Sequence, residues 1–367
     1  MKKKVLHYKT NFLNKSETFI DRLIRNHNGY HPAALCYRQK FFTKNLTIFE
    51  VPKYGVEAFI NFAAFHCNAT LPYYHKILHR EKPDLVHAHF GYDAVKLIRP
   101  AKSQNIPLLV SFYGSDVSRL PSEFGWKRRY RKLAVEADHF IAVTEFMKSQ
   151  LVELGFPEEK ISIVRFGLDL DQFDYQENSL IPKKIMMVGR MVEKKGFEYA
   201  IQAVSNLYKM GKKPELNIYG YGPLMKSLQN RTTHLQTNGC IRFHGYQPIE
   251  SIMNAHDQHT IMVAPSVTAE DGDMEGLPNT ILEAMAKGTP VVATKHAAIP
   301  EAIMDKKTGF LIEERDVDGL TELLRKIMDG EFDLNRIRKN ARSLIEEKYS
   351  VSRMVEEVER IYDRITV

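Results

Sequence analysis

Two glutamates flank the predicted start of a helix in the segment 271–290. Pro278 suits the first position of a helix, where its missing N–H has no partner to lose, and Gly288 suits the end. The first N–H groups of a helix lack intrahelical partners and carry the positive end of the helix dipole, so they form an anion site. Glu275 precedes this site and Glu283 lies inside the helix, where both can accept hydrogen bonds from a sugar or a ribose. The alternative is a surface helix with solvated glutamates.

A second group of charged residues follows the predicted strand that ends at Val188. Arg190 comes directly after this strand, and Lys194 and Lys195 precede Gly196 and a predicted helix. In open α/β sheets, ligands bind beyond the carboxyl ends of the strands. A guanidinium there binds phosphate oxygens in a bidentate way, and an ammonium adds a point charge. The pattern predicts a diphosphate site, and its alternative, a solvated basic turn, applies more to Lys194 than to Arg190.

Regular elements must position these residues. Short apolar, β-branched runs alternate with longer segments of helical period, which is typical of βαβ units around a parallel sheet. The polar, aperiodic run 171–184 indicates a linker, so we predict two doubly wound α/β domains. The predicted strands are 4–8, 34–37, 47–51, 85–89, 108–112, 140–143 and 161–164, then 185–188, 215–219, 241–243, 261–264, 290–293 and 310–312; helices are predicted at 197–209, 224–232, 249–255, 279–287 and 318–328.

The end of the chain has a different pattern, with six apolar residues at i, i+3, i+4, i+7, i+10 and i+11. This spacing predicts an amphipathic helix with one apolar stripe, which needs one partner surface. The residues alone leave open which domain supplies that surface. The stripe consists of Val351, Met354, Val355, Val358, Ile361 and Tyr362.

Length and composition fit this organisation. A chain of 367 residues is long enough for two domains, and 44% apolar with 26% charged residues excludes collagen-like, low-complexity and wholly disordered classes. Cys36, Cys67 and Cys240 lie too far apart to predict a disulfide framework or a metal-ligand pair, which indicates a reducing compartment. No apolar run has the length of a membrane span, and the N-terminus lacks the apolar core of a signal peptide. We therefore expect a cytoplasmic protein.

The charge is concentrated in the first half of the chain. Residues 1–172 contain 26 Lys and Arg against 17 Asp and Glu, whereas the remainder has a slight acidic excess. Nucleic acid, an anionic membrane or a phosphorylated substrate would each suit such a balance. A predicted basic helix with two aromatic residues favours peripheral contact with the inner face of a membrane, and its alternative is a solvated helix face. No nucleic-acid-binding motif is present, so no nucleic-acid partner is expected. The cations are Lys127, Arg128, Arg129, Arg131 and Lys132.

Taken together, these segments resemble the retaining glycosyltransferases of family 4, and the resemblance covers essentially the whole chain. Further motifs in the first half look like members that work on bacterial surface polysaccharides, such as exopolysaccharides. The motifs of the second half are Val188-Gly-Arg190 with Lys195-Gly196, Tyr219-Gly-Tyr-Gly-Pro-Leu224, Ala264-Pro-Ser266, Glu275 with Glu283, Glu283-Ala-Met-Ala-Lys-Gly-Thr-Pro290 and Thr308-Gly-Phe310; those of the first half are Ser16-Glu-Thr-Phe-Ile20, Pro83-Asp-Leu-Val-His-Ala-His-Phe90 and Phe112-Tyr-Gly-Ser-Asp116.

The resemblance implies the GT-B fold, in which two Rossmann-like, doubly wound domains face each other across a cleft and a C-terminal helix crosses back to the N-terminal domain. It implies an acceptor-binding domain at 1–172, a donor-binding domain at 185–348 and the crossing helix at 349–367. The implied activity is transfer of a sugar, with retention, from a nucleotide-diphosphate sugar to a hydroxyl of a saccharide or lipid-linked saccharide. No cofactor or metal is implied, and we interpret Asp271 and Asp273 as loop acids.

Individual roles follow by the same resemblance. Arg190 and Lys195 would hold the diphosphate and Glu275 the donor sugar, and these three are the predicted catalytic residues. Glu283 would hold the ribose, with Gly276, Leu277 and Asn279 at the main-chain cradle and Tyr246 where the base lies. Acceptor or sugar contacts are predicted at Tyr113, Asp116, His89 and Ser16.

The sequence departs from the family pattern at three places, one of which is the first strand-to-helix loop, where residues 9–16 contain no glycine although a glycine pair is frequent in the family. Tyr113 stands where many members have histidine, and Ala297-Ala298 stands where a glycine is usual. A relative that only binds a nucleotide or acts as a scaffold, and a nucleotide-sugar epimerase on the same fold, are the alternative functions.

Overall fold

The structure is a computed structural model that describes residues 2–13, 17–40, 45–67, 69–114, 116–175 and 183–366. It divides into two compact units. Unit 1 comprises Met1–Leu168 with Ser350–Val367, and unit 2 comprises Asp169–Tyr349. None of the helices within the described ranges is long and apolar enough to cross a membrane.

Unit 1 is built on a seven-stranded parallel sheet with the order β5-β3-β1-β6-β7-β8-β9. Its strands are β1 (Lys3–Tyr8), β2 (Asn11–Phe12), β3 (Tyr30–Cys36), β4 (Arg38–Gln39), β5 (Thr47–Glu50), β6 (Leu85–His89), β7 (Leu108–Phe112), β8 (His139–Ala142) and β9 (Ile161–Ile163). Its helices are α1 (Thr18–Arg25), α2 (Gly55–His66), α3 (Pro72–Glu81), α4 (Gly91–Ala94), α5 (Ile98–Lys102), α6 (Trp126–Glu136) and α7 (Glu145–Glu153).

Unit 2 is built on a six-stranded parallel sheet with the order β12-β11-β10-β13-β14-β15. Its strands are β10 (Lys184–Val188), β11 (Glu215–Tyr219), β12 (Ile241–Gly245), β13 (Ile261–Ala264), β14 (Val291–Thr294) and β15 (Phe310–Ile312). Its helices are α8 (Phe197–Lys209), α9 (Met225–Arg231), α10 (Thr233–Thr237), α11 (Ile249–His256), α12 (Asn279–Lys287), α13 (Ile299–Ala302), α14 (Val317–Met328) and α15 (Leu334–Lys348). The last helix, α16 (Val351–Ile365), belongs to unit 1.

Each main sheet has the doubly wound order in which the chain first moves outward from a central strand and then returns to its other side. The strand order therefore reverses between β1 and β6 in unit 1 and between β10 and β13 in unit 2. At such a reversal the loops that follow the two central strands diverge and leave a crevice, which is where ligands of open α/β sheets bind.

Helix α16 packs on unit 1 through its apolar stripe. Met354, Val355, Val358, Ile361 and Tyr362 are buried in one cluster with residues of β1, β6, β7 and β8. Burial of such side chains contributes about 1.5–3 kcal/mol each. The surface that covers the apolar stripe of the C-terminal helix is thus supplied by the first domain.

The predicted strands and helices are confirmed, and their ends differ from the predicted ones by at most four residues. The sequence did not predict the short parallel pair β2 and β4, because a two-residue strand is too short to show any alternation. Half of the predicted linker, residues 176–182, lies outside the described ranges.

Candidate active site

Closely packed loops form the edge of unit 2 at the strand reversal. Gly196 has φ +63°, and a Cβ there would lie 1.9 Å from the carbonyl oxygen of Pro265, directly after β13. A Cβ on Gly220 would lie 1.9 Å from the carbonyl oxygen of Gly189. The glycines of the family-like motifs are therefore required because two backbones meet at these points.

The loop after β10 brings two lysines onto one carboxylate. The Lys195 ammonium lies 3.0 Å from Oε2 of Glu275, and the Lys194 ammonium lies 3.4 Å from Oε1. Lys194 also pairs with Asp273 at 3.0 Å and donates to the carbonyl of Met274 at 3.2 Å. Lys195 and Glu275, two of the predicted catalytic residues, are thus in direct contact although they lie 80 residues apart in sequence.

Glu275 is ionised in this environment. Its side chain is only 12% exposed, and this burial opposes the charged form. The ammonium groups of Lys195 and Lys194 outweigh burial and hold the pKa of the carboxyl below its ordinary value. The carboxylate is therefore a fixed negative charge and a hydrogen-bond acceptor, not a proton donor, at neutral pH.

A buried histidine fixes the backbone at Glu275. The N–H of Glu275 donates to Nε2 of His296 at 3.1 Å, so the proton of this ring lies on Nδ1, which donates to Glu314 at 2.6 Å. Burial opposes ionisation of Glu314, but hydrogen bonds from His296 and from the N–H of Thr268 hold the pKa of this carboxyl below its ordinary value. His296 and Glu314 were not among the predicted site residues, although a histidine two positions after a buried strand was a usable signal.

Helix α12 has the predicted range 279–287, but Pro278 is not its first residue. Pro278 has ψ 126°, which is extended, so it precedes the helix and Asn279 is the first helical residue. The Oδ1 atom of Asn279 is buried and has no hydrogen-bond partner among the described residues. Glu283 is one turn further on, on the same face, and is 8% exposed. Leu277 is buried, and Gly276 is half-buried beside Glu275.

Arg190 and Tyr246 are also at this edge of the sheet. Arg190 follows β10 and is exposed, and Tyr246 follows β12 and is 65% exposed. The stem of Lys195 crosses Gly189, since a Cβ on that glycine would be 3.5 Å from Cε. The expectation that Lys194 is more solvated than Arg190 was wrong, because Lys194 is paired and Arg190 faces solvent. Lys194 is held by acidic side chains on the distant loop 271–275, which sequence spacing does not reveal.

The predicted contacts in unit 1 occupy the ends of β6 and β7. The hydroxyl of Tyr113 is 2.7 Å from Nδ1 of His89. Asp116 is fully buried and accepts hydrogen bonds from the N–H groups of Tyr113, Gly114 and Gly91 at 2.8–3.2 Å. Burial nevertheless raises the pKa of Asp116 to about 6. Ser16 lies outside the described ranges.

His89 belongs to a chain of hydrogen-bonded rings in unit 1. His7 is 3.0 Å from His89 on one side and 3.0 Å from His27 on the other, and His27 is 3.1 Å from Glu359 of α16. Burial lowers the pKa of His7 and His89 well below the ordinary value, so both rings are neutral.

His7, His87 and His89 also form a group with ring nitrogens close enough to bind a metal. Each of their six ring nitrogens already has a hydrogen-bond partner, which for His87 are the hydroxyls of Tyr362 and Ser111 at 2.7 Å. The arrangement is therefore fully explained as a neutral hydrogen-bonded network.

Comparison with known proteins shows the family of the chain. The family model for glycosyl transferases group 1 matches residues 171–344, and that for glycosyltransferase family 4 matches residues 26–172. The amylovoran biosynthesis glycosyltransferase AmsK of Erwinia amylovora is 31% identical over 286 residues, which is 77% of this chain and 70% of AmsK. The putative colanic acid biosynthesis glycosyltransferase WcaL of Escherichia coli K12 is 30% identical over 274 residues, 73% of this chain and 68% of WcaL.

Solved structures show the same fold. Anabaena HepE in complex with UDP superimposes with a TM-score of 0.80 at 16% identity, over 99% of this chain and 100% of that chain. A glycosyltransferase from Rickettsia africae gives 0.79 at 19% identity, over 99% and 98%. Two doubly wound units of this kind define the GT-B class of glycosyltransferases. The chain belongs to glycosyltransferase family 4, whose members are retaining enzymes, so the predicted fold class, family and enzyme class are confirmed.

Proposed function

We propose that unit 2 binds a nucleotide-diphosphate sugar and that the enzyme transfers the sugar to a saccharide or lipid-linked saccharide in bacterial surface polysaccharide synthesis. The observation that carries the donor assignment is the contact of Lys195 and Lys194 with Glu275 at the strand reversal of unit 2. The polysaccharide assignment is supported by AmsK and WcaL, whose names place them in amylovoran and colanic acid biosynthesis.

In this proposal the diphosphate of the donor replaces Glu275 as the partner of Lys195. Lys195 turns its ammonium from the carboxylate towards the phosphate oxygens, while Lys194 stays paired with Asp273 and keeps part of the charge of Glu275 compensated. The carboxylate of Glu275 can then accept hydrogen bonds from the donor sugar. Arg190 supplies a second cation, and the amides that begin α12 complete the anion site.

During transfer, the bond between the anomeric carbon and the diphosphate oxygen breaks, and a bond from the acceptor oxygen forms on the same face of the sugar. Positive charge grows on the sugar ring and negative charge on the diphosphate. Cations and amides held in position before the reaction stabilise that leaving group, which is the largest catalytic contribution that we assign. The leaving phosphate oxygen takes the proton of the acceptor hydroxyl, so no separate base and no metal are required.

The basic helix α6 is the second element of the proposal. Its five cations are exposed, while Tyr130, Leu133 and Ala134 face the core of unit 1. We propose that the exposed, cationic face of α6 contacts an anionic membrane on the cytoplasmic side. Each cation near such a surface adds about 1 kcal/mol of binding free energy, so sedimentation with vesicles should increase with the fraction of anionic lipid.

A thermal-shift screen of nucleoside diphosphates and their sugars tests the donor assignment, because a ligand that binds only the folded state raises the melting temperature. Mass spectrometry of reaction products then separates the alternatives. A glycosylated acceptor supports transfer, a changed nucleotide sugar without an acceptor indicates an epimerase, and nucleotide binding without a product indicates a binding protein.

A further inference from the structure

A second charged pocket lies in unit 1 and includes residues of the basic helix α6. Its cavity has a volume of about 590 Å³. Four of its lining side chains are cationic, and none of the described residues that line it is acidic. We call it the basic pocket and define it by Lys96, Arg99, Arg129 and Lys132, together with Trp126.

The charge of the basic pocket is only partly compensated by the described residues, among which Glu136 of α6 interacts electrostatically with Lys132. No carboxylate among the described residues forms an ion pair with Arg99, Arg129 or Lys132. The guanidinium of Arg129 lies over the indole ring of Trp126, 4.8 Å from its centroid, which fixes its position. The ammonium of Lys96 forms an ion pair with the carboxylate of Asp93 at 3.5 Å. Three cations around one cavity, two of them guanidinium forks, suit a phosphate or diphosphate group.

An exposed apolar helix borders the basic pocket. Helix α2 ends at His66, three positions before Ala69, which lines the pocket with Thr70, and the Lys96 ammonium lies 5.0 Å from the ring centroid of Phe65 on α2. Large apolar side chains on a helix are rarely left in water unless they have a partner. The exposed side chains on and next to α2 are Tyr54, Val56, Phe59, Ile60 and Phe62, of which Phe59 is 73% exposed.

We propose that the basic pocket is a subsite for the phosphate or diphosphate group of an amphiphilic acceptor, and that the exposed side of α2 contacts the hydrocarbon part of that acceptor. The inference rests on the proposed transferase function and makes it more specific, because it assigns the acceptor to the phosphate-linked lipids. A phosphorylated saccharide without a lipid carries the same phosphate chemistry, but it would leave the apolar side chains of α2 without a partner.

Matched pairs of charge substitutions on α6 test this assignment. Arg129→Gln with Lys132→Gln removes two cations of the basic pocket, whereas Lys127→Gln with Arg128→Gln removes the same two residue types from the same helix outside it. The full-length variants are sedimented with phosphatidylcholine vesicles that contain a polyisoprenyl diphosphate, and with vesicles of equal charge that contain phosphatidylserine.

The pocket pair should lower affinity for the diphosphate vesicles at least about tenfold relative to the control pair, because charge-assisted hydrogen bonds to phosphate are lost. On phosphatidylserine vesicles the two pairs should behave alike. Equal losses in both pairs on both vesicles, or no loss in the pocket pair, would overturn the assignment.

Two further measurements separate the source of the phosphate and the status of the donor site. Release of the wild-type protein from diphosphate vesicles by inorganic pyrophosphate shows that the phosphate group alone occupies the pocket. Failure of release, together with weaker vesicle binding by Phe59→Ser, shows that the lipid is needed. Nucleoside diphosphate binding, followed by thermal shift in both pairs, tests the proposed function separately, because none of these residues belongs to unit 2.

Discussion

Replacement of Lys195 by alanine isolates one cation of the proposed diphosphate site. In the structure, the ammonium of Lys195 contacts Glu275 at 3.0 Å, and its stem packs against Gly189. The substitution removes the charge but leaves Glu275 paired with Lys194 at 3.4 Å, so the buried carboxylate keeps a counter-ion. We therefore expect the variant to fold, with a loss of about 1–2 kcal/mol in the free energy of unfolding.

The expected loss of activity follows from the charges. Two unit charges 4 Å apart interact by about 4 kcal/mol at the effective dielectric near a protein surface. Part of this is offset because Lys195 must separate from Glu275 before it binds the phosphates. About 3–4 kcal/mol of transition-state stabilisation remains at most, which corresponds to about 10²–10³ in rate and matches the loss of one preorganised donor in other enzymes.

The assay is kcat/KM with the donor that the thermal-shift screen identifies. Lys194→Ala is the control, because Lys194 is the neighbouring residue and contacts the same carboxylate. Its ammonium is held by Asp273 and by the carbonyl of Met274, so it is not expected to bind the diphosphate. We expect it to lower kcat/KM about tenfold or less. A value for Lys195→Ala within about threefold of the wild type, with the fold intact, would refute the role of Lys195 in holding the diphosphate.

Three other outcomes are expected. Glu275→Gln should lower transfer but not nucleoside diphosphate affinity, because Lys195 loses a competitor; parallel losses in calorimetry and turnover would contradict this. Ala297 has φ +44°, so Ala297→Gly should raise the unfolding free energy by about 0.5–1 kcal/mol in urea titrations, whereas Ala298→Gly, at a buried position with negative φ, should lower it. The buried His7, His87 and His89 have lowered pKa values, so the unfolded state binds more protons than the folded state below about pH 6.5, and the unfolding free energy should fall there by up to about 1.4 kcal/mol per histidine per pH unit. Asp116 opposes this fall, because its raised pKa lets the folded state bind one proton more readily than the unfolded state. An unfolding free energy that stays constant between pH 6.5 and 5 would contradict the neutral histidine network.

The positive φ of Ala297 gives a physical reason for the departure noted in the sequence. The family pattern places a glycine in Ala297-Ala298, and the backbone at Ala297 adopts the left-handed region that glycine enters without strain. The next residue, Ala298, precedes α13 and has an ordinary negative φ. The alanine is therefore tolerated at an energetic cost, which the Ala297→Gly variant measures.

The histidine network shows a different limit of sequence reasoning. His89 is a predicted acceptor or sugar contact, and in the structure the ring nitrogens of both His87 and His89 are hydrogen-bonded to other side chains. These partners lie on β1, on β7 and directly after it, and on α16, and the network continues from His7 through His27 to Glu359, 332 residues further along the chain. No local pattern encodes which of these groups meet.

The sequence by itself determined the two parallel sheets, because buried strands need continuous apolar runs and glycines mark where backbones must meet, as at Gly196 and Gly220. It also determined the stripe of α16 and the family to which the chain belongs. Only the tertiary structure decided that Lys194 is paired while Arg190 faces solvent, that His296 holds the backbone of Glu275, and that a basic pocket adjoins an apolar helix. The reason is physical: periodicity and turn residues act over a few neighbouring positions, whereas the pairing and burial of charges depend on which distant loops the sheet edge brings into contact.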